Sequence, residues 1–320
     1  MAAPTLQRFQ TNPLIRANEP PSIGGNVNGP SVIRVPDWVA NPLGRYYLYF
    51  AHHQGDHIRM AYADALEGPW TVHEPGVLAL DDTPFHAHIA SPDVHIDDAN
   101  RRIFMLYHGC GNRHPHDSPY PQQTAFASGP DGLTFQADDT LLTESYYRVI
   151  RHPDRAGWLG CAGGPYRILY FTDDPARPPC AGPRLDIPGE PLGDPAGKDW
   201  RALDAMTRLR HVALDTRPGT LILYYTCCGD TPERIKRVHI ALDQDPGAAA
   251  WTTSAPEEVA RPATDAEGAH LPVEPSRGGS VHAPVHQLRD PEIFHDDGKP
   301  YLFYTLAGEH GIGGGALIEA

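Results

Sequence analysis

The sequence predicts an all-β protein, a five-bladed β-propeller with a central active-site cavity, on three observations. First, the 320-residue chain carries 31 glycines and 34 prolines. Because proline breaks helices and glycine weakens them, long helices are disfavoured. Second, short runs rich in aromatic and β-branched residues occur in pairs joined by turn residues, as in β-hairpins. Third, these pairs belong to similar units of four strands, which is the pattern that a β-propeller repeats around its axis.

Four pairs of runs share the hairpin pattern and predict the two middle strands of a blade. In the first pair, an aromatic run leads through the turn Gln54-Gly55-Asp56 into a second apolar run. The pairs are Arg45 to Phe50 with Ile58 to Ala63, Ile103 to His108 with Thr124 to Ser128, Leu221 to Tyr225 with Ile235 to Ala241, and Tyr301 to Tyr304 with Ala316 to Ile318.

A further strand precedes each pair and is predicted to be the innermost strand of its blade. Three of these strands align on a proline, in Gly29-Pro30, Ser91-Pro92 and Asp290-Pro291, whereas those starting at Tyr147 and Arg210 have none. Fourth strands follow at Trp70 to His73 and at Trp251 to Thr253. Unit starts near positions 29, 91, 147, 210 and 290 give five blades, although a β-sandwich of similar strands is an alternative.

We expect residues 1–320 to form a single propeller domain. The last unit ends almost at Ala320 without an outer strand, so the stretch Leu6 to Phe9 is predicted to supply it and close the ring. Residues 256–284, which are rich in proline, glycine and alanine, are predicted to be a long loop that crosses one face.

The composition excludes several classes of function. With 26 basic against 40 acidic residues and a formal charge of −14, the chain is a poor candidate for binding nucleic acid or an anionic membrane surface. No apolar run is long enough to span a bilayer, and the N-terminus lacks the pattern of a secretion signal. The five cysteines are scattered and have no C-x-x-C spacing, which argues against a disulfide framework or a structural zinc site. We expect a cytoplasmic protein, and the oligomeric state stays open.

Polar residues on the predicted inner strands indicate a functional cavity on the propeller axis. Charged side chains are seldom buried unless they are paired or used in function. The residues in question are Asn26, Asn28, Asp93, His95, Tyr147, Arg148, Arg210, His211, Arg289, Asp290 and Glu292. The alternative is a structural shaft that holds paired aspartates and arginines.

Two segments resemble the five-bladed glycoside hydrolases, the superfamily that includes arabinanases, β-xylosidases, fructosidases and anhydro-galactosidases. The segment from Arg289 to Gly298, with Asp290-Pro291 and the run Tyr301 to Tyr304 after it, is similar to an inner strand and hairpin of these enzymes. Gly68-Pro69-Trp70 is similar to the pattern that closes the third strand of their first blade. The resemblance implies a base, an aspartate that tunes pKa values and an acid around the shaft. It also implies that the reaction requires no cofactor. Structural calcium in the central shaft is an open alternative, since relatives contain it.

Residue by residue, the resemblance suggests the following roles. Asp290 matches the aspartate of the Asp-Pro pattern and Asp93 lies on the corresponding strand, so these two are the candidates for base and pKa modulator, in either order. Glu267, in Glu267-Gly268, resembles the acid, and Glu292 and His211 are the further catalytic candidates. The sequence departs from the pattern in the first blade, where Asn28-Gly29-Pro30 offers no carboxylate, so the base must come from another blade or the chemistry must differ.

Six residues are expected to bind substrate: Asn28, His88, Tyr147, Arg148, Arg210 and Arg289. The three arginines would suit a carboxylate or sulfate on the substrate, or they would neutralise carboxylates of the protein itself. The histidine pairs at positions 52 and 53, 86 and 88, and 114 and 116 have no further ligand at a spacing that completes a metal site, so no metal ligands are assigned.

These observations favour a glycoside hydrolase-like enzyme that cleaves a glycosidic bond in a small, optionally anionic, oligosaccharide or glycoside. The acid and base would be carboxylates, or a carboxylate and a histidine. One alternative is a lyase or isomerase on the same scaffold that uses tyrosine, histidine and arginine. A second alternative is a propeller that binds a sugar without catalysis.

Overall fold

Five sheets, each built on four antiparallel strands, surround a common axis in this computed structural model, which describes residues 3–53, 55–112, 122–164, 167–190 and 208–319. Blade 1 contains β3 (Asn28–Arg34), β4 (Tyr46–Ala51), β5 (His57–Ala63) and β6 (Thr71–Ala79). Blade 2 contains β7 (Phe85–Asp97), β8 (Arg102–Asn112), β9 (Gln122–Gly129) and β10 (Gln136–Glu144). The five-bladed all-β architecture predicted from the sequence is therefore confirmed.

The remaining three blades complete the ring. Blade 3 contains β11 (Tyr147–Arg151), β12 (Trp158–Ala162), β13 (Ile168–Thr172) and β14 (Cys180–Asp186). Blade 4 contains β15 (Arg208–Arg217), β16 (Thr220–Cys228), β17 (Ile235–Ala241) and β19 (Glu257–Ala260). Blade 5 contains β20 (Arg289–Asp296), β21 (Lys299–Leu306), β22 (Gly311–Ile318) and, as its outer strand, β1 (Thr5–Arg8). The first strand of the chain thus pairs with the last one, Leu6 lying opposite Leu317, so that the sheet edge is covered.

Short elements join the blades. A two-residue strand β2 (Ile15–Arg16) also pairs with β22, and 3₁₀ turns occur at Pro21–Ile23, Leu80–Asp82 and Asp265–Glu267. In the part of the chain described here, no helix is long and apolar enough to cross a membrane.

One predicted strand belongs to a different blade. The run around Trp251 was expected to be the outer strand of blade 4, but β18 (Ala250–Thr252) adds in parallel to the edge of β14 in blade 3. The outer strand of blade 4 is β19, which lies at the start of the predicted loop 256–284. Trp251 is 3 % exposed and packs with Leu185 and Leu221 in the core between blades 3 and 4, and this burial explains its position.

The hydrophobic core consists of layers between neighbouring blades. Five clusters of buried side chains fill the spaces between blades 1 and 2, 2 and 3, 3 and 4, 4 and 5, and 5 and 1 in the described residues. Because alternate residues of each strand point to opposite faces, both faces of a blade contribute to a core layer. The inner strands β3, β7, β11, β15 and β20 contact one another around the axis, and their polar side chains therefore meet there.

Candidate active site

A repeated irregularity in the inner strands directs polar side chains towards the axis. The pairing register shifts between Asn28 and Ser31 in β3, between Ala90 and Asp93 in β7, and between Arg289 and Glu292 in β20. Within each shift, the residue before the proline has a left-handed backbone, with φ of 57° at Gly29, 51° at Ser91 and 48° at Asp290. Such strain in non-glycine residues is characteristic of functional sites.

The inner strands carry two tiers of side chains that line two separate cavities. Ser91, Tyr146 and Asp290 line the first, which we call the Asp290 cavity and which has a volume of about 160 Å³. Two residues further along the same strands, Asp93, Arg148 and Glu292 line the second, which we call the Asp93 cavity and which has a volume of about 190 Å³. The two predicted catalytic aspartates therefore lie in different cavities. The side chains of Tyr146 and Arg148 lie between them, with the guanidinium 4.9 Å from the ring centre.

The carboxylate of Asp290 is held by donors from three blades. The phenol of Tyr146 donates to Oδ1 over 2.5 Å, and the hydroxyl of Thr305 donates to Oδ2 over 3.0 Å. Nε2 of His211 lies 3.5 Å from Oδ1. Burial and the nearby charge of Glu309 raise the pKa of Asp290, although the hydrogen bond from Tyr146 opposes this shift.

His211 has both ring nitrogens engaged with Asp290. The backbone amide of Asp290 donates to Nδ1 of His211 over 3.2 Å, which places the proton of a neutral imidazole on Nε2, on the side of the carboxylate. Burial, together with Arg210 and Arg289, lowers the pKa of His211 well below its usual value. His211 thus lines the cavity next to Asp290, and its geometry suits orienting that carboxylate.

A histidine and a glutamate form a second pair on the wall of the Asp290 cavity. Nδ1 of His53 lies 3.5 Å from Oε2 of Glu309, and the backbone amide of His53 donates to Asn26. Asn26 also donates to Oε2 of Glu309 over 3.1 Å. Burial alone would raise the pKa of Glu309, but His53 and Arg289 hold it below its usual value. The imidazole of His53 is 28 % exposed, so that the ring remains accessible from the cavity.

Three more histidine and tyrosine rings continue this wall. The ring of His53 lies 6.1 Å from that of His88, which lies 6.2 Å from His108, and Tyr146 follows at 5.8 Å from His108. Burial and His53 lower the pKa of His88 to about 4, and burial lowers that of His108 well below its usual value. Both rings are therefore neutral at pH 7 and present hydrogen-bonding nitrogens without charge.

The Asp93 cavity contains a compact group of ionisable side chains. Oδ1 of Asp93 lies 3.4 Å from Nη1 of Arg148, and Oδ2 accepts the amide of Val149 and lies 3.0 Å from Nε2 of His95. Burial alone would raise the pKa of Asp93, but His95 and Arg148 lower it. Burial raises the pKa of Glu292 to about 8, although Arg148 opposes this shift. At neutral pH the group therefore pairs one carboxylate with one guanidinium and holds Glu292 protonated.

The predicted arginines are committed to groups of the protein. Arg289 lies 3.0 Å from Oε1 of Glu309 and 3.3 Å from Oε2 of Glu233, and it also donates to Gln287. Arg210 lies 3.4 Å from Oε2 of Glu233 and 3.8 Å from Oε1 of Glu309. With Arg148 paired to Asp93 and donating to the carbonyl of Pro92, all three guanidinium groups are neutralised internally.

Glu267, the predicted acid, lies outside both cavities. Its Oε1 accepts hydrogen bonds from Arg8 and Tyr304, both over 2.7 Å, and its Oε2 accepts the amides of Ala263 and Thr264. Glu267 is therefore a buried capping residue of the 3₁₀ turn that also fastens the first strand of the chain to blade 5.

The other predicted binding residues divide between cavity and core. Asn28 lines the Asp290 cavity, and its Oδ1 is buried without a hydrogen-bond partner in the described residues. His88 lines it as well. Tyr147 instead packs in the core between blades 2 and 3, because neighbouring residues of a strand face opposite sides and Tyr146 takes the axial position.

The sequence analysis missed Tyr146, His53, His108 and Glu309. Tyr146 and His108 adjoin predicted strands. His53 and Glu309 lie in the turns after the second strands of blades 1 and 5, and both turns line the Asp290 cavity. Because such turns meet at one end of a propeller axis, the polar pairs His52-His53 and Glu309-His310 could have indicated these two residues from the sequence.

The described residues offer no ready metal site. They contain no group of three or more histidine, cysteine, aspartate or glutamate side chains arranged to hold a metal ion, and His114 and His116 lie outside the described residues. Calcium in the shaft stays a prediction.

The fold is that of the five-bladed glycoside hydrolases. An exo-1,5-α-L-arabinanase from a bovine ruminal metagenomic library superposes with a TM-score of 0.55 and 12 % identity, covering 98 % of this chain and 100 % of that one. The GH43_1 enzyme from Xanthomonas citri, complexed with xylose, gives 0.59 and 15 %, covering 92 % and 88 %. A β-xylosidase/α-arabinofuranosidase from a compost microbial metagenome gives 0.59 and 14 %, covering 97 % and 92 %.

No family model matches the sequence. The uncharacterized protein R118 of Acanthamoeba polyphaga mimivirus is 37 % identical over 360 residues, covering 97 % of this chain and 89 % of that protein. The chain belongs to the same family as this viral protein.

Proposed function

We propose that the protein is a glycosidase that cleaves a glycosidic bond of a small carbohydrate in the Asp290 cavity, by acid–base catalysis between a carboxylate and a histidine. The observation that carries the proposal is that one axial cavity is lined both by Asp290, held by three donors, and by the pair of His53 and Glu309. The propeller shared with glycoside hydrolases supports the reaction class.

Asp290 is the proposed base. Its ionised carboxylate would accept a proton from the water that attacks the sugar. Tyr146 and Thr305 donate to the two oxygens and His211 directs Nε2 at Oδ1, so these groups favour the ionised form and fix its orientation. Burial raises the pKa of Asp290, and this shift makes the carboxylate a stronger base than an exposed aspartate.

His53 is the proposed acid. Glu309 faces Nδ1 of His53, which leaves Nε2 as the nitrogen that would deliver a proton to the departing oxygen. Asn26 and Arg289 hold Glu309 in turn. This pair takes the role that the sequence analysis assigned to Glu267.

The cavity wall favours an uncharged sugar over an anionic one. Arg210 lines the cavity, and the carboxylates of Glu233 and Glu309 already balance the charge of its guanidinium. His88 and His108 are neutral at pH 7, and Asp290 and Glu309 would repel a carboxylate or sulfate. The side chains of Asn28, His88 and His108, which line the cavity, would bind sugar hydroxyl groups.

The same contacts make an elimination reaction less suitable. A lyase needs a base for a carbon-bound proton and a cation for the adjacent carboxylate. Burial and Asp290 raise the pKa of Tyr146 well above its usual value, so this phenol is a poor base, and the arginines are already paired. We propose no role for a metal in the reaction. The acidic charge of the chain still argues against nucleic acid and membranes as partners.

The test is a panel of aryl glycosides and short oligosaccharides, with products identified by mass. Hydrolysis adds one water to the products, whereas elimination adds none. Asp290→Asn and His53→Gln are each expected to lower kcat/KM by about 100-fold or more. Asp265→Asn and His270→Gln, at exposed positions, serve as matched controls. Products without added water would identify a lyase, and binding of a sugar without turnover would identify a sugar-binding propeller.

A further inference from the structure

The segment from Arg277 to Pro284 lies at the rim of the Asp290 cavity. Gly279 both lines the cavity and is exposed to solvent. The segment is fixed at its two ends. Ser276 exchanges backbone hydrogen bonds with the turn after β16, at Gly229 and Asp230, and the amide of Val285 donates to Ala307.

Between these ends the backbone of the segment makes few hydrogen bonds. Within the described residues, no backbone amide from position 277 to position 284 donates a hydrogen bond. Gly279 has a φ of 82°, and a side chain added there would meet nothing within 4 Å. Exposed backbone with few hydrogen bonds is the part of a protein that opens at the lowest free energy.

Two arginine side chains donate hydrogen bonds to backbone carbonyls of the segment. Nη1 of Arg210 donates to the carbonyl of Arg277 over 2.6 Å, and Nη2 of Arg210 donates to the carbonyl of Gly279. Nη1 of Arg289 adds a longer contact of 3.4 Å to the same carbonyl. The planar fork of Arg210 thus engages two carbonyls at once, while Glu233 and Glu309 fix and neutralise it from the other side.

We infer that residues 277–284 form a lid at the rim of the Asp290 cavity, and that Arg210 is the positioning residue that holds this lid closed. The inference changes the role of Arg210, which the sequence analysis expected to bind substrate directly. A lid that is held by side-chain donors can open without breaking a sheet, so that a ligand can enter and leave the cavity while the propeller stays folded.

Limited proteolysis with trypsin tests the lid directly and needs no turnover, so it is independent of the proposed function. Trypsin cleaves after arginine, and Arg277 is exposed within the lid. In the wild-type protein, cleavage between Arg277 and Gly278 should be slow. In Arg210→Gln it should be faster by about 10-fold or more, because cleavage follows the population of the open state. Arg34→Gln, which removes a half-exposed arginine that pairs with Asp296 and Asp297 and does not line the Asp290 cavity, is the control.

Arg210→Lys separates positioning from charge. Lysine keeps the positive charge next to Glu233 and Glu309 but cannot hold two carbonyls in a fixed fork, so we expect cleavage at Arg277 to be accelerated here as well. Equal rates of cleavage in the wild type and both variants would overturn the inference. Faster cleavage throughout the chain in both variants would do so too, since Arg210 would then stabilise the whole blade.

Kinetics give a second readout once a substrate is known. Loosening the lid should raise KM several-fold in Arg210→Lys and change kcat less, because the reacting groups Asp290 and His53 are untouched. A large fall in kcat at constant KM would instead place Arg210 in the chemical step and would contradict the lid role.

Discussion

The phenol of Tyr146 and the carboxylate of Asp290 are joined by a hydrogen bond of 2.5 Å that links blades 3 and 5 at the axis. On its other side, the ring of Tyr146 faces the guanidinium of Arg148, which pairs with Asp93. Tyr146 therefore connects the two ionisable groups of the axis, one in each cavity. The protonation of Asp290 depends on this contact, because a donor to a carboxylate favours its charged form.

Tyr146→Phe should move the acidic limb of the pH–rate profile to higher pH. A hydrogen bond to a charged group contributes about 1.5–3 kcal/mol, which corresponds to about 1–2 pH units in the pKa of Asp290. Since the base acts when ionised, a higher pKa means that activity is lost at a higher pH as the solution is acidified. The measurement is kcat/KM from pH 4 to pH 9, with Tyr301→Phe as the control. An unchanged limb would show that Asp290 is not the group titrating there.

Glu267→Gln should reduce stability while leaving catalysis intact. The substitution removes the charge that faces Arg8 and places an amide group among donors from Arg8, Tyr304 and two backbone amides. A buried hydrogen-bonding group that loses its partners costs about 1–3 kcal/mol. We expect urea unfolding at lower concentration and unaltered kcat/KM. If Glu267→Gln instead lowered kcat, and lowered it more for aryl glycosides whose leaving groups have a higher pKa, Glu267 would be the acid after all.

The sequence predicted the blades better than it predicted the site. Strand runs, turns and the prolines at positions 30, 92 and 291 depend on local chemistry, and they identified the inner strands correctly. The third blade was predicted only from its inner strand, and its other strands β12 and β13 were missed. Trp251 joined another blade because its burial there is decided by packing across blades.

Predicting which residues share a cavity required distances between residues that are far apart in the sequence. Asp93 and Asp290 were expected to meet, but the residue of β7 that corresponds to Asp290 is Ser91, and Asp93 lies two residues deeper, level with Glu292. The alignment on Pro92 and Pro291 already contained this offset, and the left-handed residues at Ser91 and Asp290 fix it in the structure. Glu267 was chosen for its neighbour Gly268, whereas its role follows from contacts with the distant Arg8.

Glu309→Gln should be far more destabilising than the matched change Glu19→Gln. Glu309 is 1 % exposed and balances Arg289 and Arg210, which would remain buried with less compensating charge. Breaking a buried pair costs about 3–5 kcal/mol, whereas exposed pairs contribute about 0–1 kcal/mol. Glu19 pairs with Arg16 at the surface, where the two side chains are 71 % and 56 % exposed. The free energies of unfolding in urea provide the comparison, and equal values would argue against a charge network behind the cavity.

Glu292→Gln should stabilise the protein increasingly as the pH rises. In the folded chain, burial raises the pKa of Glu292 to about 8, above its ordinary value of 4.5. Between these values the folded state keeps a proton that the unfolded state has released, so the wild type loses stability as the pH rises through this window. Glutamine has no such proton, and Asp93 and Arg148 are present in both proteins. Melting temperatures at pH 5, 7 and 9 should therefore diverge by a few degrees in favour of the variant, with the exposed change Glu274→Gln as the control. A constant difference across this range would mean that Glu292 is already ionised at neutral pH in the folded protein.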